Sequence, residues 1–282
     1  MMSASVHMVD VFGSEAISGN PLAVITGTGD LSTDEMQRLA RWFNLSETTF
    51  LLPPTHPEAD YRVRIFALSG ELPFAGHPTL GTCHVWLQSG VAPKNGREIV
   101  QECGAGLVTI RRDQDRLAFA PPPLIRSGAP SVEELTEAQQ FLGVKADEIV
   151  DAAWIDNGPG WLGIRLASAE QILSLKPASN WHRHIDIGVV GPHAAGGDTA
   201  FEVRAFFSNH QGTTVEDPVT GSLNASLAQW LFATGVADGD YIAAQGTCLG
   251  RRGRVYVSRD EAGQLWVGGE VRMHVEGILR GM

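Results

Sequence analysis

Glu71–His77 reads ELPFAGH, and Glu216–Ser222 reads EDPVTGS. Both are Glu-x-Pro-x-x-Gly-(His/Ser), and both open an apolar run at helical spacing. Leu80, Cys83, Trp86 and Leu87 follow the first; Leu223, Leu227, Trp230 and Leu231 follow the second. Each run stops at a glycine, Gly90 and Gly235. The two helices so predicted carry few charges, which fits burial on all sides rather than on one face.

Working outward from these turns, the flanking segments also echo. YRVRIFAL (61–68) alternates as a strand does, and AFEVRAFF (200–207) repeats it. Before them, Val6–Phe12, Leu22–Ile25 and ETTFLL (47–52) read as strands, with a helix between the last two. Ser32 caps that helix and Glu35 completes a capping box. In the second half, Ala153–Asp156, WLGIRLA (161–167) and IGVVG (187–191) read as strands, with a short helix near Glu170–Leu175. A second capping box, Ser131 with Glu134, opens a helix after the turn-rich bridge APPPLIRSGAP (120–130). The chain is therefore an internal duplication with a period of roughly 140 residues, too long for a solenoid. The expected fold is α+β: two pseudo-symmetric α/β domains, each a barrel-like sheet curved around one central helix. The division is placed at 1–120 and 121–282, leaving open a return of the C-terminal tail to the first domain.

Composition narrows the function. The 282 residues are 43% hydrophobic and 19% charged, a globular composition. No apolar run approaches the ~20 residues a membrane span needs, and the first residues lack the basic and apolar regions of a secretion leader. A net charge of −11 without a Lys/Arg stripe argues against nucleic acid or an anionic membrane as partner. Three cysteines, Cys83, Cys103 and Cys248, offer neither a disulfide framework nor a zinc pattern and fit a reducing, cytoplasmic setting.

A helix N-terminus exposes unpaired N–H groups at the positive end of its dipole and binds a carboxylate without Lys or Arg. Gly76 and Gly221 let the backbone approach a ligand, and His77 and Ser222 add a donor at each mouth. One such turn reads by default as a plain cap. Two matched turns, each after Glu-x-Pro, point to a cleft that holds a small acidic substrate from both sides. The duplication also breaks in places. Asp217 stands where Leu72 stands, and Ser222 where His77 stands. Glu47, at the start of a strand, finds no counterpart near IDIGVVG (185–191). Such asymmetry suits a reaction with one base; a carboxylate serves near neutral pH if burial raises its pKa.

Several motifs point elsewhere and are set aside. His182, His184 and His193 lie in WHRHIDIGVVGPH without a completing ligand set and read as solvent-exposed loop histidines. GTG (27–29) and GAG (104–106) read as hairpin turns outside any βαβ unit. RRGR (251–254) reads as a solvated hairpin or a contact between copies.

With these residues in view, the chain resembles the PhzF-like family of phenazine biosynthesis, which has the diaminopimelate-epimerase-like fold. The resemblance rests on DVFGSEAISGNPLAVI, NLSETTFLLPP, RIFALSGELPFAGHPTLGT, EDPVTGSLNASLAQWL and QGTCLGRRGRVYV; about residues 121–200 it is generic. It implies an isomerase without cofactor or metal, acting on a small carboxylate of the dihydro-hydroxyanthranilate kind in a cleft between two domains, and a homodimer. It places the family's catalytic glutamate on Glu47, supporting polar residues on His77, Asp217 and Ser222, the glycines on Gly76 and Gly221, and a weaker substrate contact on Asn20. The superfamily's racemases use two thiols, one before each glycine turn; Ala75 and Thr220 stand there, so two-thiol racemisation is not expected. A binding protein of the same fold without turnover is the alternative.

Overall fold

The computed structural model describes residues 4–29, 31–96, 98–113, 115–208 and 212–280. Residues 1–3, the start of the stretch read for a leader, lie outside them. In chain order the elements are β1 (Ala4–Val11), β2 (Asn20–Thr26), α1 (Thr33–Phe43), β3 (Glu47–Leu52), β4 (Tyr61–Ala67), β5 (Glu71–Leu72), α2 (Gly76–Gln88), β6 (Glu98–Cys103), β7 (Gly106–Asp113) and β8 (Arg116–Phe119). There follow β9 (Arg126–Gly128), α3 (Val132–Leu142), β10 (Ile149–Asp156), β11 (Leu162–Leu166), α4 (Ala169–Ser174), β12 (Asp186–Pro192), β13 (Phe201–Ser208), β14 (Thr214–Asp217), α5 (Gly221–Ala233), β15 (Tyr241–Gln245), β16 (Gly253–Arg259) and β17 (Leu265–Leu279). They form two compact units: Met1–Ala120 with Gly268–Met282, and Pro121–Val267. Among the described residues, no helix is long and apolar enough to cross a membrane.

In the first unit β1 pairs antiparallel with β2, β2 parallel with β3, β3 antiparallel with β4, and β4 parallel with β6. Two antiparallel pairings lead on through β7 to β8. β17 pairs with β8 and, through Val271–Leu279, with β1, so the sheet closes into a ring. Inside runs α2, packed on β1, β2, β3, β4, β6 and β8. A helix so enclosed has no solvent face to make polar, which is why Gly76–Cys83 is buried without interruption. α1 lies outside and follows the opposite rule: Met36 and Ala40 face the sheet, with Ser32 and Glu35 closing the capping box and Asn44 ending the helix in the left-handed conformation.

The second unit repeats this order. β10 pairs antiparallel with β11, β11 parallel with β12, β12 antiparallel with β13, β13 parallel with β15, and β15 antiparallel with β16. β14 adds to β13 as β5 adds to β4. α4 takes the place of α1, and α5, packed on β10 and β16, that of α2. α3, with its Ser131–Glu134 box, and β9 are extra; Phe141 and Leu142 of α3 join the core of Ile164, Ile187 and Phe206.

One expectation is corrected here. Gly27–Gly29 is not a hairpin turn: it links β2 to α1, and β2 and β3 are parallel, so it sits in a βαβ crossover. It still offers no nucleotide loop, because the α1 N-terminus is already occupied by its own capping box. The Ser32 N–H donates to the Glu35 carboxylate and the Glu35 N–H to the Ser32 hydroxyl. GAG (104–106) does turn the β6–β7 hairpin.

The connection from β1 to β2 positions the first residue of the site. Asp10 accepts hydrogen bonds from the N–H groups of Ser18 and Gly19, both at 3.0 Å, and folds residues 12–19 back on the strand end. Phe12 and Ile17 take positive φ in this turn. A Cβ on Gly19 would collide with the Val11 carbonyl oxygen and come within 2.5 Å of the Gly13 nitrogen. These are backbone atoms that no rotamer change can clear. Gly19→Ala is therefore expected to lower stability by about 1–3 kcal/mol, read as a shift of the urea midpoint at unchanged slope.

Candidate active site

The first unit brings four sequence-predicted residues together. α1 stops at Asn44, and the chain enters β3 at Glu47, paired with Ala67 of β4. His77 is the second residue of α2, only 3% exposed, and its Nε2 lies 3.5 Å from the Glu47 carboxylate. Asn20, fully buried at the start of β2, brings its amide nitrogen to 3.5 Å from His77 Nδ1. With the amide nitrogen turned toward it, Nδ1 is the acceptor, and the tautomer that matches carries its proton on Nε2, on the Glu47 side. Burial drives the His77 pKa down to about 3. At neutral pH the histidine is therefore neutral and its contact with the Glu47 carboxyl group is not an ion pair: burial disfavours the charged imidazole. Gly76 opens the helix, and its N-cap, Ala75, provides no side-chain hydrogen bond.

The second unit holds the other three. Asp217 ends β14, 7% exposed, and accepts a 2.5 Å hydrogen bond from the Thr220 hydroxyl. Gln245 of β15 accepts from the Thr220 N–H at 3.0 Å and from the Asn224 amide at 2.7 Å, and donates to Thr220 Oγ1 at 2.9 Å. Gly221 opens α5, again with no side-chain cap from the preceding residue. Ser222 follows; the Trp161 indole N–H donates to its hydroxyl at 3.2 Å and the Asn157 amide to its carbonyl at 3.0 Å. α1, α3 and α4 all have serine N-caps that accept a backbone N–H. The two central helices, with buried first turns, have none.

The Glu-x-Pro part of the repeated turn belongs to the fold. Glu71 binds Arg64 through both oxygens, at 2.7 and 2.6 Å, and Glu216 binds Arg204 likewise, at 3.0 and 2.8 Å. Each guanidinium also lies over the phenylalanine two residues on, Phe66 or Phe206. Glu47 does have a counterpart. Asp186 opens β12 opposite Phe207, as Glu47 opens β3 opposite Ala67, and the neighbouring pairs Ala205–Asp217 and Ile65–Leu72 fix the registers as equivalent. Burial raises the Asp186 pKa to about 6, against the pull of His184 at 2.6 Å. His182 and His184 are exposed as expected, but His193 is half-buried against Glu202, at 3.0 Å. Among the described residues, no group of three His, Cys, Asp or Glu could hold a metal ion. Asn157, Trp161 and Gln245, which hold Ser222 and Thr220, are not singled out by the sequence; the one available signal is that NGP (157–159) falls in the connection equivalent to the one ending in GNP (19–21).

Two repeated sheets, each folded about a helix with an uncapped, buried N-terminus, define the diaminopimelate-epimerase-like class. Solved structures agree. A PhzF-family phenazine biosynthesis protein from Enterococcus faecalis superposes with a TM-score of 0.78 at 23% identity, over 99% of this chain and 100% of that one. A hydroxyproline epimerase from Agrobacterium vitis does so with a TM-score of 0.61 at 14% identity, over 99% and 94%. The family model for phenazine biosynthesis-like protein, PhzC-PhzF, matches residues 9–277. Antisense-enhancing sequence 1 of Schizosaccharomyces pombe is 34% identical over 98% of this chain and 99% of its own. The trans-2,3-dihydro-3-hydroxyanthranilate isomerase of Pseudomonas aeruginosa is 31% identical over 91% of each. The chain belongs to the PhzC-PhzF family and is an isomerase of the PhzF kind.

Proposed function

We propose that the protein moves a proton along a small cyclic, carboxylate-bearing amino acid of the dihydro-hydroxyanthranilate type, with Glu47 as the base. The observation that carries this reading is the Glu47–His77 contact of 3.5 Å beside the uncapped first turn of α2. The substrate carboxylate binds N–H groups at Gly76, where the helix dipole supplies the positive potential that an acidic protein otherwise lacks, and Gly221, at the start of α5, is assigned to substrate binding as well. Glu47 takes an allylic proton and delivers one further along the conjugated system. His77, neutral and with its Nε2 3.5 Å from the Glu47 carboxylate, orients it. Asp217 and Ser222 serve the same reaction by hydrogen-bonding the amino or hydroxyl group and the shifted charge. The name of the Pseudomonas aeruginosa relative supports the substrate class.

Thiol racemisation lacks its base. Ala75 and Thr220 are the N-cap residues of the two central helices, and the nearby Cys83 thiol is pushed up to about 12 by burial. The reading is tested by incubating the protein with trans-2,3-dihydro-3-hydroxyanthranilate in deuterium oxide. Isomerised product with solvent deuterium at the new C–H is expected. Substrate recovered unchanged, with no exchange, would rule out this substrate class; binding without exchange would identify a protein that holds the ligand only.

A further inference from the structure

We infer that Asn157 is a substrate-contacting residue of the second unit: its amide nitrogen fixes the first turn of α5, and its carbonyl oxygen accepts a hydrogen bond from the amino or hydroxyl group of a small cyclic amino acid. This rests on the substrate class given under Proposed function.

Asn157 follows β10, in the β10–β11 connection, and is 8% exposed. Its Nδ2 lies 3.0 Å from the Ser222 carbonyl. A carbonyl only accepts, so the amide must present nitrogen there, and its orientation is set by chemistry. The other end of the same planar group is then the acceptor Oδ1. That oxygen is buried and has no hydrogen-bond partner among the described residues. A buried acceptor left unpaired is costly and uncommon, and at functional sites a ligand donor is one way it is satisfied. The neighbouring groups fit a ligand: the uncapped α5 N-terminus for a carboxylate, and the Ser222 hydroxyl, whose oxygen already accepts from Trp161 and whose proton is left to donate.

The duplication gives independent support. In the first unit the equivalent β1–β2 connection ends at Asn20, whose amide nitrogen reaches the second residue of α2, His77. In the second unit Asn157 does the same for the second residue of α5, Ser222. The two asparagines enter from opposite ends of their connections, so a linear alignment does not pair them, yet each sends an amide to the second residue of its central helix, Asn20 to the His77 ring and Asn157 to the Ser222 carbonyl.

The test uses stable aromatic analogues and the full-length protein, with affinity measured by calorimetry. The ligands are 3-hydroxyanthranilate, anthranilate (no hydroxyl) and 3-hydroxybenzoate (no amino group). Asn157→Ala is expected to bind 3-hydroxyanthranilate roughly tenfold more weakly, as loss of one hydrogen bond predicts. It should also weaken whichever single-group analogue keeps the contacted donor and leave the other unchanged. Asn157→Ser, which keeps a hydroxyl for the Ser222 carbonyl, is measured in parallel so that folding damage in the alanine form does not decide the result. Equal loss for all three ligands in the serine variant would make Asn157 purely structural, and no loss for any would remove it from the site. If the unaltered protein binds none of the three, the substrate class itself falls, and this inference with it.

Discussion

Glu47→Gln is expected to slow turnover on the order of 10²–10⁴-fold, the range by which a positioned general base accelerates a proton transfer. Glutamine keeps the volume and the planar polar head of the side chain that faces His77, so the local packing survives. What it lacks is an oxygen that can take a proton at neutral pH. The loss should fall on kcat, because the substitution leaves the backbone N–H groups of α2, proposed to hold the substrate carboxylate, untouched. Stability should hardly change, since glutamine keeps the shape of the side chain and position 47 begins a strand. Glu47→Asp separates chemistry from shape: the carboxylate remains but is drawn back by one methylene, so partial activity is expected. Steady-state rates with the dihydro substrate, together with solvent deuterium exchange, measure both variants. A Glu47→Gln protein within threefold of the parent in kcat and in exchange would transfer the role of base to another group.

The sequence makes the repeated architecture legible because its signals are local. Capping boxes at Ser32 and Ser131 need only residues three positions apart. The lack of charge in α2 and α5 announces burial without reference to what buries them. What escapes is set by non-local pairing. Asp186 goes unrecognised as the counterpart of Glu47 because three residues join α1 to β3, whereas α4 reaches β12 through the longer segment 175–185; only the strand registers realign them. The Gly27–Gly29 turn is misjudged for a related reason: whether a strand next pairs antiparallel or crosses over is decided by its partner, not by the turn residues. The Glu-x-Pro echo shows a further limit. Glu71 and Glu216 recur because each must neutralise an arginine lying against a phenylalanine on the preceding strand, and spacing alone cannot tell a residue that holds the fold from one that holds a ligand. In the first unit Glu47, His77 and Asn20 prove to be neighbours, while in the second the polar partners of Ser222 come from a connection whose sequence carries no comparable signal.

The same burial that keeps His77 neutral should make the protein sensitive to acid in a defined window. The imidazole titrates near 6.5 when exposed and at about 3 in the folded chain, because burial opposes the charged form. Between these values the unfolded chain binds a proton that the native state refuses, so stability rises with pH. The contribution is fully present above about pH 6.5 and is lost as the pH falls toward 3. At about 1.4 kcal/mol per pH unit, the whole window amounts to about 5 kcal/mol, a large part of the stability of an ordinary domain. His84, also lowered by burial, acts with the same sign. Asp186 acts with the opposite sign: its raised pKa favours the native state below the ordinary carboxylate value, and that advantage is lost as the pH rises through about 6. Both groups remain in a His77→Gln variant, so they cancel in the comparison. Urea denaturation from pH 4 to 7.5 should therefore give a shallower dependence for His77→Gln than for the parent, with the difference growing by about 1.4 kcal/mol for each pH unit below 6. Parallel curves would mean that the folded protein accepts a proton on His77 readily. In that case the histidine and Glu47 would form a true ion pair, and the carboxylate would be too well stabilised to act as the base.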